Sequence, residues 1–213
     1  MFLLVTWLCG AGMSLHATAQ SAEAGAKKAA MCIGCHSIPG YQASFPEIYK
    51  VPMIAGQGDK YLAAALAQYK KGDRKHPTMR AIAASLSDQD MADLAAFYAT
   101  QGKADAPAAA APAAVPPATV AELLKKGNCA SCHGPNFSAP IDPTYPKIAG
   151  QHADYLFVAL KAYKTTGNPK VGRGNAIMAG MSSPYTLAEL KQISGYIATL
   201  PSELRTVPQS RLR

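Results

Sequence analysis

Apolar residues recur at helical spacing in several stretches of the chain, and this periodicity predicts helices rather than strands. The clearest predicted helix covers residues 59–71 and ends at Gly72, a residue type that favours helix ends. Its apolar face consists of Tyr61, Leu62, Ala65, Leu66 and Tyr69. Segments rich in proline and glycine separate such helices and predict turns.

A further helix is predicted after Ser87, because Ser87 is a good N-cap and Asp90 follows three residues later. Its apolar stripe consists of Met91, Leu94, Ala95 and Tyr98. Alanine, lysine and glutamate predict another helix over residues 21–31, and residues 119–126 have the same character.

The second half of the chain repeats the first. Ile148-Ala149-Gly150-Gln151 repeats Ile54-Ala55-Gly56-Gln57, a Tyr-Leu helix follows each copy, and Thr186 with Glu189 repeats the capping pattern. We therefore expect two tandem domains at 20–101 and 119–213. The alanine- and proline-rich linker at 102–118 could span about 50 Å if extended. Beyond Pro201, we expect a loose tail with three arginines.

The N-terminal stretch 2–15 is apolar and uncharged, but it is shorter than the roughly 20 residues that cross a membrane. Ala17-Thr18-Ala19 then fits the small-x-small cleavage pattern. We expect residues 1–19 to be a signal peptide that directs export of the mature chain. A retained N-terminal anchor is the alternative.

The chain of 213 residues has 21 basic and 13 acidic side chains, a net charge of +8. No basic run with interleaved aromatic residues occurs, which argues against nucleic acid as a partner. Basic residues that precede Met79 and Met178 are candidates for docking an acidic protein partner, with solvated loop charge as the alternative. These are Lys70, Lys71, Arg74, Lys75, Lys164, Lys170 and Arg173.

Each half contains one Cys-x-x-Cys-His motif, Cys32-Ile33-Gly34-Cys35-His36 and Cys129-Ala130-Ser131-Cys132-His133. Two thiols at this spacing can form thioether bonds to one porphyrin, and the next histidine can ligate its iron. Four-thiolate zinc sites and redox-active dithiols are alternatives, but the histidine after both second cysteines argues against them. The motifs therefore predict two covalently attached haem c groups.

The two copies also select a second iron ligand from the eight methionines. Met79 and Met178 each lie eight residues before the N-cap of the last helix, and the remaining methionines have no methionine at the matching position. Met181 is the rival in the second half, because the preceding loop is longer. His76 has no counterpart in the second half and is expected to be a solvated loop residue; His152 aligns with Gly58 and is not expected to be functional.

An iron-ligating histidine normally donates its other ring N–H to a fixed acceptor. Pro52 and Pro146 lie two residues before the two Ile-Ala-Gly-Gln copies. We expect their carbonyl oxygens to accept these hydrogen bonds from His36 and His133.

With these motifs, the sequence resembles the two-haem class I cytochromes c of the cytochrome c4 family. The resemblance also covers the two Pro-x-Ile-Ala-Gly-Gln-x-x-x-Tyr-Leu stretches and the methionine seven residues before Leu86, although Tyr185-Thr186 replaces the usual Leu-Ser in the second half. It implies a periplasmic, all-α protein of two tandem cytochrome c domains, with close haems, that passes electrons to a terminal oxidase. A quinol-oxidising complex would be the donor, and the resemblance is compatible with peripheral association with the membrane.

Two irons with histidine and methionine ligands would leave no open site for a substrate, so we expect an electron carrier rather than an enzyme. An alternative is the cytochrome subunit of a larger periplasmic dehydrogenase that oxidises alcohols or sulfur compounds. A two-haem peroxidase or thiosulfate oxidiser is a third hypothesis, which requires an iron with an exchangeable or unusual ligand.

Overall fold

The computed structural model describes residues 19–102 and 114–209. These residues form ten helices and four strands of two residues each. The predictions that concern residues 1–18, 103–113 and 210–213, which include most of the signal peptide and most of the linker, lie outside the described residues. The all-α class is confirmed.

The first domain contains α1 (Ala22–Lys28), α2 (Ala30–His36), α3 (Asp59–Lys71), α4 (Pro77–Ala84) and α5 (Asp88–Thr100). The second domain contains α6 (Ala118–Lys126), α7 (Ala130–His133), α8 (Ala153–Lys164), α9 (Ala176–Ser182) and α10 (Leu187–Ala198). Strand β1 (Gln42–Ala43) pairs with β2 (Tyr49–Lys50) inside the first domain. Strand β3 (Arg74–Lys75) pairs antiparallel with β4 (Gly172–Arg173), and this pair joins the two domains.

The ends of the main helices follow local chemistry. Helix α3 ends at Gly72, which has a φ of 94°, a left-handed value that glycine adopts without a steric penalty. Ser87 and Thr186 each accept a hydrogen bond from the third backbone N–H of α5 and α10, and Asp90 and Glu189 complete the capping boxes. These predicted helix boundaries are confirmed.

The segment before the first motif differs from the prediction of one helix over residues 21–31. Ser21 caps α1, Ala29 ends it, and α2 begins at Ala30 and contains the motif. Helix α1 packs against α5 at Gly25, where a side chain would collide with the backbone of Asp93. The break at Ala29 lets α1 lie on α5 while α2 presents the cysteines and histidine.

Each domain has its own apolar core built around its last helix. In the first domain Leu94 and Tyr98 of α5 pack with Leu62 of α3, and in the second Leu190 and Ile193 of α10 pack with Leu156 of α8, together with other buried residues of each core. In the described ranges, no helix is both long and apolar enough to cross a bilayer.

The C-terminal tail packs against the rest of the protein at residues 202–205, which corrects the expectation of a loose segment. The N–H of Arg205 donates to the carbonyl of Ala55 in the first domain at 3.0 Å, and Leu204 is 1% exposed. The carbonyl of Glu203 lies against Gly56, at a distance that leaves no room for a side chain there. The tail therefore crosses from the second domain to the first, a contact that a local sequence pattern does not encode.

Candidate functional site

The four motif cysteines are free and half-buried. Burial raises the pKa of the Cys32 and Cys129 thiols, so that they stay protonated at neutral pH. Within residues 19–102 and 114–209, no three or more histidine, cysteine, aspartate or glutamate side chains are grouped so that they could hold a metal ion.

The two motif histidines make matching hydrogen bonds. His36 Nδ1 lies 2.9 Å from the carbonyl oxygen of Pro52, and His133 Nδ1 lies 3.0 Å from that of Pro146. Because a carbonyl oxygen only accepts, Nδ1 carries the hydrogen and Nε2 keeps its lone pair. The predicted proline acceptors are confirmed, and each ring has its second nitrogen free for a metal.

Burial lowers the pKa of both His36 and His133, although the bonds to Pro52 and Pro146 oppose that shift. A lowered pKa keeps the imidazole neutral at physiological pH. Only the neutral ring can give an iron its Nε2 lone pair, so burial and hydrogen bonding together prepare both residues for the role of ligand.

Met79 and Met178 occupy equivalent places in the two domains. Each is the third residue of its helix, α4 or α9, and each is half-buried. The Met79 N–H donates to His76 Nδ1 at 3.2 Å, and the Met178 N–H donates to Asn175 Oδ1 at 2.9 Å. Met181, the rival in the second domain, is 47% exposed and lies a turn farther along α9.

His76 is not the solvated loop residue that the sequence led us to expect. It is half-buried, it caps α4, and its ring packs edge-on against Tyr49 and Tyr69, with ring centroids 6.4 and 6.5 Å away. Asn175 performs the same capping role in the second domain. The correspondence was missed because imidazole and amide groups look unrelated in sequence but both offer an acceptor to a backbone N–H.

Part of the predicted basic docking surface lies inside the molecule. Arg74 is 6% exposed, and its guanidinium donates to Gln68 Oε1 at 2.8 Å and Tyr61 OH at 3.1 Å. Arg173, which faces Arg74 across the β3–β4 pair, donates to Tyr155 OH at 3.1 Å. We call this set the arginine–tyrosine cluster: Arg74, Arg173, Tyr61, Tyr69, Tyr155 and Tyr163.

Two of the other predicted docking residues also have internal partners. Lys70 donates to the carbonyl of Leu86 at 2.5 Å, and Lys164 donates to that of Tyr185 at 2.6 Å. These equivalent bonds hold α3 and α8 to the segments that precede the last helices. The sequence prediction of a docking surface is therefore wrong for the buried Arg74, and it is weakened for the half-buried Arg173 and for the two lysines.

Gln57 and Gln151 are buried at the contact between the domains, and no role was predicted for them although they recur in both copies of the repeat. Gln57 bonds to the backbone of Lys147 in the second domain, and Gln151 bonds to that of Met53 in the first. The two domains therefore meet through related segments, and each segment lies beside a proline that holds a motif histidine.

The residues of each domain fit a haem c group. Two unpaired thiols could supply two covalent anchors, and an imidazole whose Nε2 keeps its lone pair and a methionine at a helix start could supply two iron ligands. Large apolar side chains beside these residues are also exposed in the polypeptide, among them Met31 at 53% and Ile177 at 57%. A bulky apolar group bound there would cover surface that water otherwise contacts.

Comparison with known proteins also indicates two cytochrome c domains. The family model for cytochrome c matches residues 22–101 and again 118–201. A cytochrome c4 from Azotobacter vinelandii is 33% identical over 219 residues, covering 92% of this chain and 98% of that protein. A thiosulfate dehydrogenase electron acceptor from Stutzerimonas stutzeri is 28% identical and covers 84% of this chain and 83% of its own length.

Among solved structures, the crystal structure of reduced recombinant cytochrome c4 from Pseudomonas stutzeri superimposes with a TM-score of 0.61 at 27% identity. The match covers 85% of this chain and 100% of that one. Three observations indicate the same family: the family model matches twice, the shared region covers most of the chain, and the histidine–proline arrangement occurs in both domains. The chain belongs to the cytochrome c family and is a two-domain member of the cytochrome c4 type.

Proposed function

We propose that this protein is a periplasmic carrier of single electrons. As a cytochrome c4 of two cytochrome c domains, it binds two covalently attached haem c groups. Cys32 and Cys35 would hold the first and Cys129 and Cys132 the second. The axial ligands would be His36 with Met79 in the first domain and His133 with Met178 in the second.

The observation that carries this proposal is the doubled histidine arrangement. In both domains the ring nitrogen Nδ1 is occupied by a proline carbonyl, at 2.9 and 3.0 Å, so that Nε2 points its lone pair away from that bond. A methionine at the third position of a capped helix recurs with it. One such set could arise by chance, but two sets related by the repeat support two centres of the same kind.

When bound, haem c supplies a one-electron couple between iron(II) and iron(III). The protein holds the ring through its cysteines, orients the imidazole through the proline carbonyl, and uses methionine to raise the potential. With both axial positions filled by side chains, an external substrate has no position at the iron. We therefore propose a carrier without catalytic activity of its own.

The resemblance to cytochrome c4 supports a terminal oxidase as the acceptor and a quinol-oxidising complex as the donor. Export through the N-terminal segment, with cleavage before Gln20, is part of the same proposal. Transient docking to either partner depends on exposed basic residues such as Lys71, Lys75 and Lys170, which remain on the surface although Lys71 pairs with Asp73 and Lys75 donates to the carbonyl of Asn168.

A second candidate function is to accept electrons from a sulfur-oxidising dehydrogenase. The observation that favours it is the similarity to thiosulfate dehydrogenase electron acceptors over more than four fifths of the chain. Both candidates use the same two centres and differ only in the donor. Stopped-flow reduction by a thiosulfate dehydrogenase, compared with reduction by a quinol-oxidising complex, separates them.

The ligand assignment is tested by Met79→Ala and Met178→Ala in the haem-loaded protein. Each substitution should lower the potential of one haem and let carbon monoxide bind that haem in its reduced form, because the sixth position is opened. Absorption spectroscopy should show that the far-red band of methionine bound to iron(III) loses about half of its intensity, as expected when one of two equivalent centres is removed.

Met181→Ala is the matched control, because Met181 lies in the same helix α9 as Met178 and is exposed. It should leave the band and both potentials unchanged. If neither ligand variant binds carbon monoxide, or if Met181→Ala does, the assignment is wrong.

A further inference from the structure

The peptide group between Pro52 and Met53 makes hydrogen bonds at both of its ends. Its carbonyl oxygen, on Pro52, lies 2.9 Å from His36 Nδ1. Its N–H, on Met53, donates to Gln151 Oε1 of the second domain at 3.0 Å. One peptide group therefore connects the motif histidine of the first domain with a glutamine of the other domain.

The same connection exists in the opposite direction. The carbonyl of Pro146 lies 3.0 Å from His133 Nδ1, and the N–H of the same peptide group, on Lys147, donates to Gln57 Oε1 at 2.9 Å. The arrangement is thus doubled by the repeat, and each domain supplies the glutamine that serves the other domain's histidine.

Both glutamines are held firmly in this position. Gln57 Nε2 also donates to the Lys147 carbonyl at 2.9 Å, and Gln151 Nε2 donates to the Met53 carbonyl at 2.8 Å, so each amide binds its residue by two hydrogen bonds. Each of the two side chains is only 4% exposed, which leaves water little access to replace it. These bonds therefore persist as long as the two domains remain packed together.

Hydrogen bonds at the two ends of a peptide group strengthen one another. An acceptor at the N–H shifts electron density toward the carbonyl oxygen, and polarisation of this kind strengthens the next bond by about 10–30%. A stronger bond from the imidazole N–H makes the ring a more basic ligand. A more basic ligand favours iron(III) and lowers the reduction potential of that centre.

We propose that Gln151 tunes the haem of the first domain and Gln57 tunes the haem of the second, each through the peptide group that holds the other domain's histidine. This inference rests on the proposed ligation by His36 and His133. Gln151 and Gln57 are positioning residues, because they act through the Pro52–Met53 and Pro146–Lys147 peptides. Domain packing then sets both potentials, and separating the domains changes them without altering any axial ligand.

The test is Gln151→Met in the full-length, haem-loaded protein. Methionine has a similar length and keeps water out, but its sulfur is a far weaker acceptor for the Met53 N–H than the amide oxygen of Gln151. We expect the potential of the first-domain haem to rise while that of the second-domain haem stays in place. Redox titration followed by NMR, with haem methyl signals assigned to each domain through contacts with neighbouring residues, measures the two potentials separately.

Gln57→Met is the matched control, because it removes the same number of hydrogen bonds from the mirror position. It should raise the potential of the second-domain haem alone. General loosening of the interface would instead move both haems alike in both variants. A pattern in which each glutamine affects the haem of its own domain, both haems equally or neither haem would overturn the proposal.

A second readout follows the hydrogen bond itself. In protein labelled with ¹⁵N-histidine, Gln151→Met should move the Nδ1–H signal of His36 toward the value for a weaker hydrogen bond and leave that of His133 in place. The far-red methionine band must persist in the variant. A wild-type protein without this band would contradict the proposed ligation, whereas an intact band with unchanged potentials and Nδ1–H signals would reject the tuning role alone.

Discussion

At the scale of single residues, Arg74 is a buried cation surrounded by neutral oxygen atoms and aromatic rings. Its guanidinium carbon lies 5.2 Å from the ring centre of Tyr61 and 5.7 Å from that of Tyr69. Burial raises the pKa of Tyr61 to about 12, against the opposing charge of Arg74, so its hydroxyl is neutral at physiological pH. Within the described ranges, no carboxylate lies at ion-pairing distance from Arg74. The packing of Arg74 therefore depends on the planar shape of its guanidinium group.

We predict that Arg74→Lys lowers the free energy of unfolding by about 1.5–3 kcal/mol, because an ammonium cannot stack between the rings and bond to Gln68 and Tyr61 together. Guanidinium chloride denaturation of the haem-loaded protein measures the change. The control is Arg80→Lys at an exposed position, which should change stability by less than about 0.5 kcal/mol. Equal losses in the two variants would contradict the prediction.

At the scale of secondary-structure elements, the contact between α1 and α5 depends on the absence of a side chain at Gly25. A Cβ atom there would lie 2.1 Å from the carbonyl oxygen of Asp93 and 2.8 Å from Cβ of Phe97. The backbone of Asp93 cannot move aside as a flexible side chain could. The small residue therefore sets how closely the first helix approaches the last helix of its domain.

Gly25→Ala should therefore destabilise the protein by about 1–3 kcal/mol, the usual cost of overpacking. Gly195→Ala in α10 is the matched control, because no atom outside its own helix backbone and its neighbours lies within 4 Å of the added carbon. It should stabilise the protein by about 0.5–1 kcal/mol, since alanine favours helix more than glycine does. Thermal unfolding followed by circular dichroism distinguishes the opposite signs.

The same two helices are joined by a charge cluster that predicts a pH dependence. Lys28 pairs with Asp90 and Asp93, and its hydrogen bonds hold the pKa of both carboxyl groups below the ordinary value. A carboxyl group whose pKa is lowered by folding contributes stability that is present above its ordinary pKa and is lost as the pH falls below it.

We expect Asp93→Asn to lower the melting temperature at neutral pH and to make a progressively smaller difference as the pH is lowered below about 4. Scanning calorimetry of the wild type and the variant over this range provides the measurement. A difference that stays constant down to the lowest pH would show that the Asp93 charge does not contribute.

At the scale of the whole molecule, the C-terminal tail holds the two domains together. Leu204 is almost completely buried, its neighbour Arg205 bridges to Ala55, and Glu203 forms an ion pair with Lys147. Lys147 also donates to the carbonyl of Gly56 at 3.1 Å. Residues from the tail and from both Ile-Ala-Gly-Gln copies thus meet at one junction.

Leu204→Ala should lower the free energy of unfolding by about 2–5 kcal/mol, as expected for a large side chain removed from a fully buried position. Leu187→Ala is the control, because Leu187 is 50% exposed, and its effect should be much smaller. Chemical denaturation gives both values. If the two losses were similar, the tail would not act as a structural element of the domain pair.

The sequence by itself determined the features that depend on neighbours a few residues apart. Helix α3 begins at Asp59 and ends before Gly72 as predicted, and the capping boxes at Ser87 and Thr186 form where the sequence places them. The bonds from His36 to Pro52 and from His133 to Pro146 were also predicted. Helix period, capping and the repeat are all readable along the chain, because they involve short segments or the comparison of two copies.

Only the tertiary structure decided which surfaces meet. The sequence suggests that Arg74 and Arg173 are exposed charges, yet β3 and β4 pair them at the contact between the domains, where Arg74 is buried and Arg173 is half-buried. Gln57 and Gln151 bond to residues 90 and 98 positions away, and the tail crosses to the first domain. Such pairings arise from the shape of two folded domains, and local periodicity carries no information about them. The cofactor chemistry was thus readable from the chain, whereas the connection between the two centres depended on the packing of the domains.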